Sequence, residues 1–154
     1  MIAIGSADYG YDKLGNRKTE LLSRSNVWST QAQYPFGKQY FYDYSIVAIK
    51  DLFYMFGGQT RVPDSSGVTK AIASFSTITK KWKMCGEFKK ARGGHGVIVQ
   101  NGEFVVVGGE HENVFTERCS LKDDTIHCTA VKPKLSNFDF YPEMIAVPHD
   151  YCPE

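Results

Sequence analysis

His95 is the first residue in this chain to examine for chemistry. It sits in Arg92-Gly93-Gly94-His95-Gly96, where an imidazole stands among glycines close to a guanidinium. An imidazole near a fixed cation is a candidate proton-transfer group. Glu110-His111-Glu112 offers oxygen and nitrogen donors, but three adjacent side chains do not converge readily on one metal ion, and no complementary His pair lies near in sequence. Asp123-Asp124 reads as a turn rather than a catalytic dyad. No Gly-x-Ser-x-Gly elbow occurs, and the glycines around Gly102 and Gly108-Gly109 lack the Lys-Ser/Thr and following helix of a phosphate loop. The sequence therefore predicts no catalytic residue, no metal site and no cofactor.

The cysteines fall at 85, 119, 128 and 152, with no C-x-x-C pair to suggest a zinc ribbon or a thioredoxin-type site. Cys119 and Cys128 flank Lys122-Asp123-Asp124-Thr125, a natural tight turn between strands. If Asp123-Asp124 are the turn, the two cysteines face each other at a non-hydrogen-bonded pair, where side chains approach most closely. A disulfide there would contribute roughly 2–3 kcal/mol. A turn shifted by one residue puts the sulfurs on opposite faces and leaves two small packing residues instead.

The elements that must hold these residues are strands. Ten Phe, nine Tyr and fourteen Gly in 154 residues favour strands and tight turns, within the size of one ordinary domain. Eighteen Lys+Arg against seventeen Asp+Glu give no bulk charge for nucleic acid or an anionic membrane. No apolar run approaches the ~18 residues needed to span a bilayer. Met1-Ile2-Ala3-Ile4 runs straight into Gly5, so no signal-peptide core is expected within the chain, which is read as soluble or as a piece of something soluble.

The organising feature is a pattern that occurs twice. Leu52 to Phe56 ends in Gly57-Gly58 and is followed by Phe75 and Trp82; Phe104 to Val107 ends in Gly108-Gly109 and is followed by Cys119 and Cys128. Self-similarity at about fifty residues marks an array of supersecondary units. In the first copy, 42–49 and 52–56 are predicted strands around Lys50-Asp51, with a polar loop over 59–68 and a hairpin of 70–75 with 81–85. The second copy repeats the order with 96–99, the Asn101-Gly102 turn, 104–107, 115–121 and 126–131. Met1 to Gly5 looks like a second strand with Gly5-Ser6 in place of the glycine pair, and Leu21-Leu22 and Trp28 match Phe75 and Trp82. Residues 141–152 resemble the first strand of a further unit. The strands are apolar on both faces, as expected for a sheet packed between neighbours.

The glycine pairs, Phe75 seven residues before Trp82, and the Arg92-to-Gly96 opening together resemble the kelch repeat. Ser6 and Cys128 depart from its pattern, standing where a glycine and a tryptophan belong. The resemblance implies an all-β fold: a kelch-type β-propeller fragment with two complete four-stranded antiparallel blades plus partial blades at both ends. The divisions are 1–38 (strands two to four of a partial blade), 39–88, 89–135 and 136–154. It also implies that Gly57, Gly58, Gly108, Gly109, Trp28 and Trp82 are structural, the tryptophans filling wedges between blades, and that Arg92 and His95 belong to the framework. Propellers close with 4–8 blades, so further blades or self-association are expected to cover the open ends.

In such a blade the loop after the second strand and the link to the next blade emerge on one face. That rim gathers Gln59, Thr60, Arg61 and Asp64, then Glu110, His111, Glu112 and Asn113, with Lys89, Lys90 and Arg92 and with Asn137, Phe138 and Asp139 from the links. Loops on a rigid scaffold are where binding resides. The expected function is a non-catalytic protein-interaction scaffold, a fragment of a longer protein, with a protein partner and no nucleic acid. The alternative is part of an enzyme or an extracellular carbohydrate-binding protein on a galactose-oxidase-like propeller. A Cys119–Cys128 disulfide favours an extracellular setting, although no Asn-x-Ser/Thr sequon occurs; free thiols favour the cytoplasm.

Overall fold

A computed structural model describes residues 2–7, 16–35, 40–62, 65–109 and 116–131. All its regular elements there are strands. Three units can be distinguished. Unit 1 is a three-stranded antiparallel sheet of β1 (Ile2–Ala7), β2 (Asn16–Leu22) and β3 (Trp28–Thr30). Unit 2 holds β5 (Ser45–Ile49), β6 (Leu52–Phe56), β9 (Ala71–Ser76) and β10 (Trp82–Glu87), antiparallel in that order. Unit 3 holds β11 (His95–Gln100), β12 (Glu103–Gly108), β13 (Glu117–Lys122) and β14 (Thr125–Ala130), again antiparallel in order.

The tight turns fall where residue type allows a left-handed backbone. Asn101 and Gly102 have φ of 53° and 78°, and Asp123 and Asp124 have 49° and 60°. Positive φ at both central residues gives the turn whose twist matches paired strands. The Asp123-Asp124 turn sets the register of β13 with β14, so Cys119 faces Cys128 with Cα atoms 4.0 Å apart.

Four expectations are corrected. The strand expected over 42–49 breaks at Asp43, whose φ of 55° turns the chain; β4 (Tyr40–Tyr42) leaves and β5 continues. The polar loop expected over 59–68 is a hairpin of β7 (Gln59–Val62) and β8 (Ser65–Val68), which pairs with β4 as a separate three-stranded sheet. Its pairing satisfies backbone groups that a loop would leave to water. Gly5-Ser6 does not end β1, which runs on to Ala7 opposite Asn16. Units 2 and 3 are not separate sheets: β10 and β14 pair in parallel at Gly86 with Ile126 and Glu87 with His127, giving one mixed eight-stranded sheet. A Cβ on Gly86 would lie 2.4 Å from the Ile126 carbonyl oxygen, so only glycine permits this approach.

Alternation along unit 2 feeds two cores. Tyr54, Phe56, Ile72 and Cys85 pack with Phe104, Val106, Cys119, Ile126 and Cys128 of unit 3. Met55, Ile46 and Trp82 sit instead in a second core with Tyr34, Phe41 and Tyr44. Both faces of one sheet are covered by different neighbours, which explains its doubly apolar sequence.

Candidate functional site

The rim is built by the link between units 2 and 3, residues 88–95. Its backbone is tied to unit 2 at each step. Phe88 N–H donates to the Lys70 carbonyl at 2.9 Å, Arg92 N–H to Thr69 at 3.3 Å, and Gly94 N–H to Asp43 at 2.8 Å. The Ser45 hydroxyl donates to the His95 carbonyl. Gly58 N–H donates to the Arg92 carbonyl at 2.9 Å. The glycine pair is required by this approach: a Cβ on Gly57 would lie 2.6 Å from the Arg92 carbonyl oxygen and 2.7 Å from the His95 ring, and one on Gly58 would lie 2.7 Å from the Phe41 ring. Both glycines also have positive φ, 51° and 112°.

From this strapped link the Arg92 side chain turns inward. It is fully buried, and its guanidinium pairs with the equally buried Glu117 of β13. Arg92 Nη1 also donates to the Gly108 carbonyl at 3.2 Å, while the other Glu117 oxygen accepts from the Lys89 N–H at 3.0 Å. The guanidinium stands 5.1 Å over the Phe88 ring. Arg92 therefore does not belong to the exposed rim: the carboxylate of Glu117 draws it into the interior, where an unpaired charge is not tolerated. Glu117 was not singled out from the sequence. Its signal is an acidic residue two positions before Cys119, hence on the same face of the strand as the expected disulfide.

His95 is buried beside this pair, edge-on to Phe88 at 5.3 Å. Neither ring nitrogen has a hydrogen-bond partner in good geometry. Burial chiefly, and the Arg92 charge next, hold its pKa down to about 3 against an opposing pull from the Phe56 backbone. His95 is thus neutral at ordinary pH and closed off from solvent, so it stands as framework. Cys85 is also buried; its thiol donates to the Ile72 carbonyl, and burial pushes its pKa up to about 11.

Cys119 and Cys128 lie at bonding distance, with sulfurs 2.11 Å apart. Glu117 brings its carboxylate within 4.8 Å of both sulfurs. With the sulfurs joined and the carboxylate held by Arg92 and Lys89, the trio presents no open ligand set. Of the remaining predicted rim residues, Lys89 and Lys90 are exposed on the link. Arg61 lies in β7 opposite Ser66 and Tyr40, and Gln59 accepts a hydrogen bond from the Tyr42 hydroxyl at 3.0 Å. Asp64, residues 110–113 and residues 137–139 lie outside the described residues, as do 141–152.

The tryptophans occupy corresponding places in their units. Trp82 pairs across strands with Phe75, and Trp28 with Leu22. Trp82 packs on Phe75 and reaches unit 1, its indole N–H donating to Thr19 Oγ1 at 3.0 Å and to the Ala32 carbonyl at 3.3 Å. Trp28 is 47 % exposed.

No family model and no curated protein sequence matches the chain. Among solved structures it is similar to YjhT, a kelch-repeat protein, with 21% identity and a TM-score of 0.49. The match covers 60% of this chain and 27% of YjhT, so the chain spans about a quarter of that protein's length.

Proposed function

We propose that the chain is a stretch of a kelch-type β-propeller whose units are its blades, and that it works as a non-catalytic protein-interaction scaffold. The observation that carries the blade reading is the recurrence of one cross-strand row. Phe53, Phe75 and Trp82 align in unit 2, and Phe104, Cys119 and Cys128 align in unit 3, each row four residues before its glycine and each turned toward the preceding unit. Units that repeat a row and stack face to face behave as blades.

The binding surface in this reading is the rim around Lys89, Lys90, Gln59 and Arg61, on backbone pinned by the link. The Arg92, Glu117 and His95 groups serve as its foundation, closed to any substrate. In units 2 and 3 the opposite end carries the hairpin turns at Lys50-Asp51, 77–81, Asn101-Gly102 and Asp123-Asp124.

The test compares the two ends. A protein partner isolated by crosslinking to the purified chain is titrated against Lys89→Glu/Lys90→Glu and against Asp123→Lys/Asp124→Lys. Loss of binding in the first variant alone supports the rim. Loss in the second variant alone places binding at the wrong end and overturns the reading, as does copper-dependent oxidation or sugar turnover by the purified chain.

A further inference from the structure

We propose that a second copy of this chain covers the open face of unit 1, with the Trp28 indole of one copy docking on Thr116 of the other. The proposal rests on the blade reading above.

The internal joint between units 1 and 2 shows what such a tryptophan needs. Trp82 lies across the gap with its N–H on the hydroxyl of Thr19, a fully buried residue of the preceding unit. Trp28 occupies the same place in unit 1, facing away from unit 2, and with its neighbour Val27 it is exposed.

The matching acceptor sits at the other end of the chain. Thr19 is three residues before Leu22 of its row, and Thr116 is three before Cys119 of its own. The backbone confirms the equivalence: the Thr19 carbonyl accepts from Gln31 N–H at 2.7 Å, and the Thr116 carbonyl from Val131 N–H at 2.8 Å. Gln31 follows Trp28 by three residues, as Val131 follows Cys128. In unit 2 the corresponding residue is Ile72, whose side chain offers no acceptor and meets no tryptophan. Glu117 and Cys119 face unit 2, so by strand alternation Thr116 lies on the far face of unit 3.

Among the described residues a donor is therefore left on unit 1 and its acceptor on unit 3, in the arrangement already used between units 1 and 2. End-to-end contacts of this kind form closed rings when the rotation between copies permits. Two copies of the three described units supply six, within the 4–8 at which propellers close.

Sedimentation velocity on the 154-residue chain tests the idea. The expected species is a two-copy assembly. Thr116→Val weakens it about fivefold per joint, the value of one hydrogen bond, and Trp28→Ala weakens it more than about tenfold by removing a large apolar contact. Mixing the two variants restores one intact joint, so the mixture assembles more tightly than Trp28→Ala alone. A dimer indifferent to Thr116→Val, or a mixture no tighter than Trp28→Ala, overturns the proposal.

A monomeric wild type also overturns it, and leaves Trp28 to a further unit of a longer polypeptide. Trp82→Ala separates that failure from failure of the blade reading. Faster hydrogen exchange over 16–22 in this variant sustains the blades even if no second copy binds, whereas unchanged exchange there removes the blade reading itself.

Discussion

The two joints between successive units solve the same packing problem by different chemistry. Between units 1 and 2, Trp82 reaches across the gap to Thr19 and Ala32, and among the described residues no strand pairing links the two sheets. Between units 2 and 3 the row that should end in tryptophan ends in Cys128, bonded to Cys119. There the strands themselves meet, β10 pairing with β14 beside Gly86. The difference follows from the residue opposite. Where the Thr19 hydroxyl accepts the indole N–H, unit 2 presents Ile72 to unit 3, fully buried and without a side-chain acceptor. An indole placed there would leave a buried donor unsatisfied, at a cost of about 1–3 kcal/mol. Cysteines are smaller and, once bonded, need no acceptor. The second joint also has its own polar anchor, the Arg92–Glu117 pair, which the first lacks because unit 2 carries Ala73 where unit 3 carries Glu117.

The sharpest way to break the second joint is Arg92→Leu, which strands the Glu117 carboxylate in the interior. A loss of about 3–5 kcal/mol in urea unfolding is expected, and Glu117→Gln, which keeps a hydrogen-bond acceptor, loses less. Equal losses in the two variants contradict the charge argument. Cys119→Ala/Cys128→Ala comes next. Closing the short ring between them constrains the unfolded chain, so its removal lowers stability by roughly 2–3 kcal/mol. Addition of a thiol reductant reproduces that loss in the wild type and does nothing to the variant.

Acid separates the joints further, because His95 lies only at the second. Its folded pKa of about 3 is below the unfolded value near 6.5. Between those values the unfolded chain binds a proton that the folded chain refuses. Stability is thus complete above about pH 6.5 and falls by about 1.4 kcal/mol per unit as pH drops toward 3. At pH 5 the loss is about 2 kcal/mol, and His95→Leu removes that slope when unfolding is followed against pH. The smallest effect belongs to the first joint: Thr19→Val removes the hydroxyl that accepts from Trp82 and costs about 1 kcal/mol. Its readout is faster hydrogen exchange in unit 1 with no change in unit 3.

Much of this could be read in the sequence because it depends on neighbours a few residues apart. The Asp123-Asp124 turn fixes strand register, and register alone brings Cys119 opposite Cys128. The Asn101-Gly102 turn and the glycine pair at 57–58 follow from residues that accept positive φ. Other features were hidden for equally physical reasons. The polar segment 59–68 has the composition of a loop, and its pairing depends on β4, a strand released only because Asp43 turns the chain. Arg92 reads both as a rim residue of the link and as framework, and the choice is made only by Glu117, 25 positions later, which faces it.

The sequence by itself determined the repeat of the glycine pairs, the main tight turns, and the cysteines that face each other once Asp123-Asp124 is the turn, because each rests on backbone geometry within one hairpin. Only the tertiary structure decided which polar side chains are buried and which tryptophan is covered. Those outcomes depend on pairs brought together from far along the chain, Trp82 with Thr19 across 63 residues among them. Trp28 and Trp82 are the same residue at the same place in their units. One is exposed and the other packed, because burial belongs to the neighbour and not to the residue.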